Sequence, residues 1–163
     1  MPKRSAGILL YRLTDESVLE LWLAHMGGPF WARKDAGAWS IPKGEYAEGE
    51  DPVQVALREF HEEMGVPAPD VGYANLGEFR QSAKVVTVFA AETDFRPDRI
   101  VSNTFSVEWP PGSGTFRDYP EIDDARWCTA QEARTKLVRG QLPIVDALER
   151  RVGTRRAGSR GEP

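Results

Sequence analysis

Hydrophobic and polar positions divide the chain into short segments with different periods. Residues 5–13 and 18–25 are mostly apolar and are separated by Thr14-Asp15-Glu16-Ser17, the pattern of two antiparallel strands joined by a turn. Residues 27–38 form a loop rich in glycine and aromatics, and Trp39-Ser40-Ile41-Pro42 is short and extended, its proline excluding a long central strand. From Asp51 the period becomes helical. Val53, Ala56, Leu57, Phe60 and Met64 fall on one stripe at about 100° per residue and form the predicted buried face. Asp51 can cap free N–H groups, Pro52 at the first helical position sacrifices no hydrogen bond, and Gly65 suits the left-handed position after Met64.

Pro67 and Pro69 stop the helix from resuming. Beyond them, residues 73–81 and 84–92 read as strands, the second β-branched, aromatic and central. Residues 104–109 and 122–128 read as further strands, with a surface loop at 110–114. Two short helices are predicted at 131–139 and 143–152, broken at Gly140. The expected fold class is α/β: a mixed β-sheet sandwiched by helices, in one domain over residues 1–152. Residues 153–163, including the basic stretch from Arg155 to Arg160, read as a disordered tail.

Composition narrows the class. Of 163 residues, 40% are hydrophobic and 28% charged, which excludes wholesale disorder, collagen-like structure and coiled coil. Apolar runs such as residues 85–91 fall short of the roughly 18 needed to cross a bilayer, and the N-terminus has no signal-peptide core. A soluble protein with no membrane partner is expected. The single cysteine, Cys128, fits a reducing cytoplasm and is not read as a nucleophile. A net charge of −4 gives no global attraction to DNA, so bound phosphate must be met by local cations or a metal.

Glu59, Glu62 and Glu63, at i, i+3 and i+4, are predicted to gather on a flank away from the apolar stripe. Like charges at that spacing cost roughly a few tenths of a kcal/mol per pair, and they lie near the helix C-terminus, where the macrodipole disfavours anions. Helix stability does not account for them. Two readings follow: a solvated acidic face with Arg58 paired to Glu62, or a cage for a hard divalent cation such as Mg²⁺.

The segment before the helix bears on that choice. Gly44, five residues, Glu50, seven residues, then Arg58-Glu59-Phe60-His61-Glu62-Glu63-Met64-Gly65-Val66 resembles the Nudix box, G-x5-E-x7-R-E-U-x-E-E-x-G-U, with Phe60 the loosest fit. Trp39-Ser-Ile-Pro-Lys-Gly44, Glu121-Ile-Asp-Asp-Ala-Arg-Trp127 and the strand order extend the resemblance. It implies a Nudix-type α/β/α sandwich that cleaves a nucleoside diphosphate linked to a group X by attack of water on phosphorus, with Mg²⁺ or Mn²⁺. Such chemistry calls for positioning and charge neutralisation more than covalent help.

Position by position, the resemblance implies that Glu59 binds metal and helps activate water. Glu62 and Glu63 are implied as metal ligands, with the Lys43 backbone carbonyl as a further oxygen; either Glu59 or Glu63 is the base. Arg58 is an orienting partner of the carboxylates, and Glu50 supports the loop or a metal through water. Glu121 is the candidate acidic ligand from a later loop, with Glu108 in reserve. His25 and His61 are given no catalytic role. On side-chain chemistry, the Lys43 ammonium either contacts a polyphosphate oxygen or is simply exposed. Gly44 and Gly65 serve close approach and positive φ.

Base stacking needs exposed aromatics. Phe30, Trp31, Trp39, Trp109, Phe116 and Tyr119 lie near predicted loops, with Trp31 and Trp109 foremost. Arg33, Lys34 and Arg117 are candidate cations for outlying phosphates. The Pro42-Lys43-Gly44 lead-in is similar to that of dinucleoside polyphosphate and diphosphoinositol polyphosphate hydrolases. The expected partner is therefore a small-molecule nucleotide, such as diadenosine tetraphosphate or a (deoxy)nucleoside triphosphate. A noncatalytic nucleotide-sensing module and an RNA-cap hydrolase are the alternatives, and a homodimer is left open.

Overall fold

The computed structural model describes residues 2–159, with side chains described as far as residue 153. Strands β1 (Lys3–Leu13) and β2 (Leu19–Met26) pair antiparallel only near their turn, from Tyr11↔Leu21 to Leu13↔Leu19. Farther from the turn they diverge. The gap is filled by β3 (Trp39–Ser40), which pairs with β2 at Ala24 and His25, and β4 (Lys43–Tyr46), which pairs with β1 from Arg4 to Gly7. Pro42 lies where the chain passes from one neighbour to the other, and its carbonyl accepts the Ile8 N–H at 3.0 Å.

The outer edges are closed by longer partners. Strand β6 (Lys84–Glu92) runs parallel to β1 along nearly its whole length and carries β5 (Ala74–Gln81) on its far side. Strand β9 (Ile122–Thr129) pairs with β2. A separate hairpin of β7 (Thr104–Glu108) and β8 (Phe116–Pro120) stands off this mixed sheet.

Both faces of β1 are covered, as its near-continuous apolar sequence requires. Leu9 joins a core with Leu21, Leu23, Val86 and Val88 under Ile144 and Leu148 of α3 (Leu142–Ser159). Ile8 and Leu10 join the opposite core with Trp22 of β2 and with Ala56, Phe60 and Met64 of α1 (Pro52–Met64). The alternation of β1 therefore divides its side chains between two helical layers, the sandwich expected from sequence. Helix α2 (Ala130–Lys136) opens on a capping box in which Thr129 and Glu132 bond each other's backbone. Among the described residues no helix is long and apolar enough to cross a membrane.

Helix α1 has the predicted bounds and caps: Asp51 accepts the Val53 N–H at 3.2 Å, and Gly65 is left-handed at φ 78°. Its buried face is wider than the single stripe expected. Val55, Ala56, Phe60, Glu63 and Met64 are buried while Val53 and Leu57 are half-buried, because α1 packs on β4 as well as on β1. Glu63 accordingly lies on the buried face and not on the solvated flank.

Strands β4 and β8 were not among the predicted elements. Lys43-Gly44-Glu45-Tyr46 and Phe116-Arg117-Asp118-Tyr119-Pro120 bury nothing fully and show no apolar alternation, so only backbone pairing defines them. Helix α3 continues to Ser159, so the backbone of residues 153–159 is helical where the sequence reads as a tail. Residues 160–163 of that tail lie outside the described residues.

Candidate active site

The inserted β3–β4 segment delivers Lys43 and Gly44 to one side of α1, and the contact there is close. A β-carbon on Gly44 would collide with the Glu59 carboxylate. The Lys43 backbone hydrogen-bonds Glu63 and favours its charged form. Glu63 is only 9% exposed, and its Oε2 is buried without a hydrogen-bond partner. Burial pushes this carboxyl up to about 8; the Lys43 ammonium opposes the shift, while Glu59 and Glu121 add to it.

Glu59 is also raised, first by burial and then by Glu62, against the pull of Arg58. Glu121 is raised by burial and by Glu62. Glu121 is thus within electrostatic reach of the helix carboxylates. A chain of backbone hydrogen bonds holds it: Asn103 N–H to the Glu62 carbonyl at 2.9 Å, Glu121 N–H to the Asn103 carbonyl at 2.8 Å, and Gly27 N–H to the Glu121 carbonyl at 2.8 Å.

Arg58 lies between Glu50, at 3.3 Å, and Glu59, at 3.8 Å, and does not pair with Glu62. Glu50 in turn accepts the Ala47 N–H at 2.9 Å, which with Arg58 holds its carboxyl below the usual range. The Lys43 ammonium is half-buried; burial and Lys84 pull its pKa down, while Glu63, Glu45 and Glu59 counter them.

Among the described residues, no three acidic or histidine side chains converge closely enough to coordinate an ion as they stand. The donor set nevertheless fits a hard divalent cation. It consists of oxygens, includes one buried carboxylate oxygen without a partner, and carries mutual repulsion that a cation would relieve.

The remaining candidates separate by burial. Trp39 is 2% exposed, bonds Asp35 through its indole N–H at 3.0 Å, and belongs to the core. Trp31 is half-buried against the same core, with the Lys34 ammonium 5.3 Å from its ring centre. Arg33 and Arg117 are exposed, and Trp109 is half-buried with its ring 5.3 Å from that of Phe30. Glu108 accepts the Gly114 N–H at 3.2 Å within its own hairpin loop. His25 is buried between Asp123 and the Lys34 carbonyl, and His61 is exposed. Burial pushes the Cys128 thiol up to about 11, the opposite of what a nucleophile needs.

Residues 1–148 match the NUDIX domain. The chain belongs to that family. Among curated relatives, this Nudix chain is 34% identical over 93 residues to a nucleoside triphosphate pyrophosphatase/Nudix hydrolase fusion protein of Bifidobacterium longum, covering 54% of the chain and 18% of the relative. It is 44% identical over 43 residues to an RNA pyrophosphohydrolase of Francisella tularensis, covering 26% of the chain and 28% of the relative. The chain thus spans less than a third of the length of these relatives.

Solved structures share the Nudix fold. A C. elegans Ap4A hydrolase binary complex superposes with a TM-score of 0.63 at 19% identity, covering 93% of this chain and 98% of that one. The NUDIX domain of Shewanella oneidensis NrtR, complexed with ADP ribose, superposes with a TM-score of 0.63 at 16% identity, covering 93% and 89%.

Two residues that brace the segments around the candidate site gave no signal in the sequence. Asn103 acts only through its backbone, which no side-chain pattern reports. Gln141 is fully buried: its Oε1 accepts the Ile41 N–H at 3.0 Å, and its amide nitrogen donates to Ser40 Oγ at 2.9 Å and Gln81 Oε1 at 3.0 Å. One glutamine thereby pins the segment leading to Lys43. In sequence it falls in the break between the two predicted C-terminal helices, where no apolar pattern marks it as buried.

Proposed function

We propose that the chain is a divalent-metal-dependent pyrophosphohydrolase that cleaves a nucleoside diphosphate linked to a further group. The leading substrate class is a dinucleoside polyphosphate such as diadenosine tetraphosphate, with a (deoxy)nucleoside triphosphate next. The observation that carries this reading is the buried, unpartnered Glu63 Oε2, coupled to Glu59 and Glu121, one turn from the Gly44–Glu59 contact. Glu59, Glu62, Glu63, Glu121 and the Lys43 carbonyl would hold Mg²⁺ or Mn²⁺. When bound, such a cation neutralises charge on the phosphate oxygens and orients the attacked phosphorus.

The chain's own groups divide the remaining work. Glu59, less enclosed than Glu63 and backed by Arg58, takes the proton from the attacking water. Glu63, anchored by the Lys43 backbone, serves as the fixed ligand. The Lys43 ammonium is positioned to meet a phosphate oxygen. A small-molecule nucleotide partner, one domain over residues 1–152 and a cytoplasmic setting belong to the same reading; the buried, free Cys128 is in keeping with the last.

The test is a turnover panel of diadenosine tetraphosphate, nucleoside triphosphates, ADP-ribose and capped RNA with Mg²⁺. Glu62→Gln and Glu63→Gln are expected to lower the rate by orders of magnitude, and EDTA to abolish it. Full activity in both variants, or in EDTA, defeats the metal assignment. Preferential turnover of capped RNA selects the RNA-directed reading, and tight nucleotide binding without turnover selects the sensing module.

A further inference from the structure

His25, only 7% exposed near the end of β2, is a buried polar side chain that the carboxylate helix does not touch. Its Nδ1 lies 2.5 Å from Asp123 Oδ1, and its Nε2 lies 2.6 Å from the Lys34 carbonyl oxygen. A carbonyl and a carboxylate only accept. The ring therefore donates from both nitrogens, and the charge it gains is balanced by Asp123. The Trp39 ring packs edge-on against it, with centres 5.1 Å apart.

Asp123 reaches this ring because the ladder is irregular there. Strand β9 pairs with β2 at Asp124↔His25 and again at Ile122↔Met26, which leaves Asp123 as an extra residue, a β-bulge. Bulges re-aim side chains, and this one turns Asp123 toward His25. Two bonds bracket it. On one side the Gly27 N–H donates to the Glu121 carbonyl at 2.8 Å, and on the other the His25 ring holds the Asp123 carboxylate. Gly27 lies so close to Pro120 that a β-carbon would come within 2.0 Å of its carbonyl oxygen, so the contact is backbone to backbone. Slippage of one residue would absorb the bulge and turn Glu121 to the opposite face of the strand, away from the helix carboxylates to which it is coupled.

We propose that His25 is a positioning residue: through Asp123 it fixes the bulge, and with it Glu121, while its second nitrogen ties the 27–38 loop to the same point. This rests on the hydrolase reading above, in which Glu121 is a metal ligand, and adds the residue that sets its place. The two ring bonds do separate work. The Asp123 bond holds the register on which Glu121 depends, and the Lys34 bond holds the loop. Without the Asp123 carboxylate, a neutral ring keeps its Nε2 proton and the Lys34 bond. Asparagine at position 123 keeps both bonds, because its amide nitrogen donates to Nδ1 while Nε2–H donates to Lys34.

The experiment compares wild type, His25→Phe, Asp123→Ala and Asp123→Asn by amide hydrogen exchange at Gly27 in the metal-free protein, tryptic cleavage after the exposed Lys34, and Mn²⁺ affinity by electron paramagnetic resonance without substrate. Phenylalanine keeps a ring against Trp39 but donates to neither oxygen. His25→Phe is expected to speed both Gly27 exchange and Lys34 cleavage roughly tenfold and to weaken Mn²⁺ binding roughly tenfold. Asp123→Ala, at a partly exposed side chain, speeds Gly27 exchange and weakens Mn²⁺ binding to the same extent but leaves cleavage near wild type. Asp123→Asn matches wild type throughout. A general loss of stability would move exchange and cleavage together in Asp123→Ala, so their separation is the signature of the brace. Wild-type exchange at Gly27 in folded Asp123→Ala overturns the proposal, whatever becomes of His25→Phe, and faster exchange with undiminished Mn²⁺ affinity overturns the link to Glu121. If wild type binds no Mn²⁺, the hydrolase reading fails by itself, and Gly27 exchange still decides whether His25 holds the bulge.

Discussion

Gly44 and Glu59 are packed so that a single added methyl on the glycine would occupy the space of the glutamate's carboxylate. Strand β4 and helix α1 therefore meet at this point through the Glu59 side chain, with none on the strand side. The glycine is required for space, so its replacement acts on the position of Glu59. Gly44→Ala is expected to keep the fold by circular dichroism while lowering Mg²⁺-dependent turnover about 100-fold, the effect of a misplacement of about 1 Å in a catalytic group. Wild-type turnover in a folded Gly44→Ala protein would show that Glu59 need not stand where it does.

Glu63 makes stability depend on pH with a definite sign. Its carboxyl is raised to about 8 in the folded chain from an ordinary value of 4.5. The folded state binds the proton more tightly, so stability is greatest below about 4.5 and falls as pH rises through about 8. In EDTA the melting temperature should decline across that window, and Glu63→Gln should flatten the decline. Mg²⁺ should raise the melting temperature most at the alkaline end, where the carboxylate is charged. Melts at a series of pH values, with and without Mg²⁺, check all three.

Arg58 is expected to matter for orientation and little for stability. Half-exposed, it reaches Glu50 at 3.3 Å and Glu59 at 3.8 Å, and exposed pairs contribute little to stability. Arg58→Ala should leave the urea midpoint nearly unchanged while lowering kcat roughly tenfold through the loss of a fixed Glu59. Lysine is a point charge that cannot fork between two carboxylates, so Arg58→Lys should restore little of the loss. Equal restoration by lysine would reduce the role of Arg58 to bare charge.

The helix that carries the carboxylates was legible because its signals are local: a capping aspartate, a first-turn proline, apolar residues at helical spacing and a terminal glycine. The burial of Glu63 was not, since it depends on β4 approaching α1 from the other side of the strand gap. The same cause hid β4 itself. Its four residues pair with β1 only because β1 and β2 diverge, a property of the assembled sheet. The Phe30–Trp109 contact joins two loops distant in sequence, and from sequence each ring looks like any other aromatic near a turn. Periodicity reports one element at a time; the site is built where elements meet.

Gln141 offers the sharpest test of how that meeting is held. Its amide bonds Ile41, Ser40 and Gln81, and all three bonds depend on an oxygen that accepts and a nitrogen that donates. Gln141→Ala leaves the Ile41 N–H without its partner in a dry region and opens a void, a loss of about 2–4 kcal/mol. Gln141→Glu keeps the volume and the acceptor but removes both donated bonds and brings a carboxylate into the core. Its loss should therefore equal or exceed that of alanine at neutral pH and shrink in acid, where the carboxyl regains a proton to donate. Urea unfolding of both variants at pH 5 and pH 8 separates these outcomes. Because Ile41 stands two residues before Lys43, the surviving folded fraction should also bind Mn²⁺ more weakly than wild type, measured by electron paramagnetic resonance in the absence of substrate. Unchanged Mn²⁺ affinity in folded Gln141→Ala would mean that β4 is held by its pairing with β1 alone.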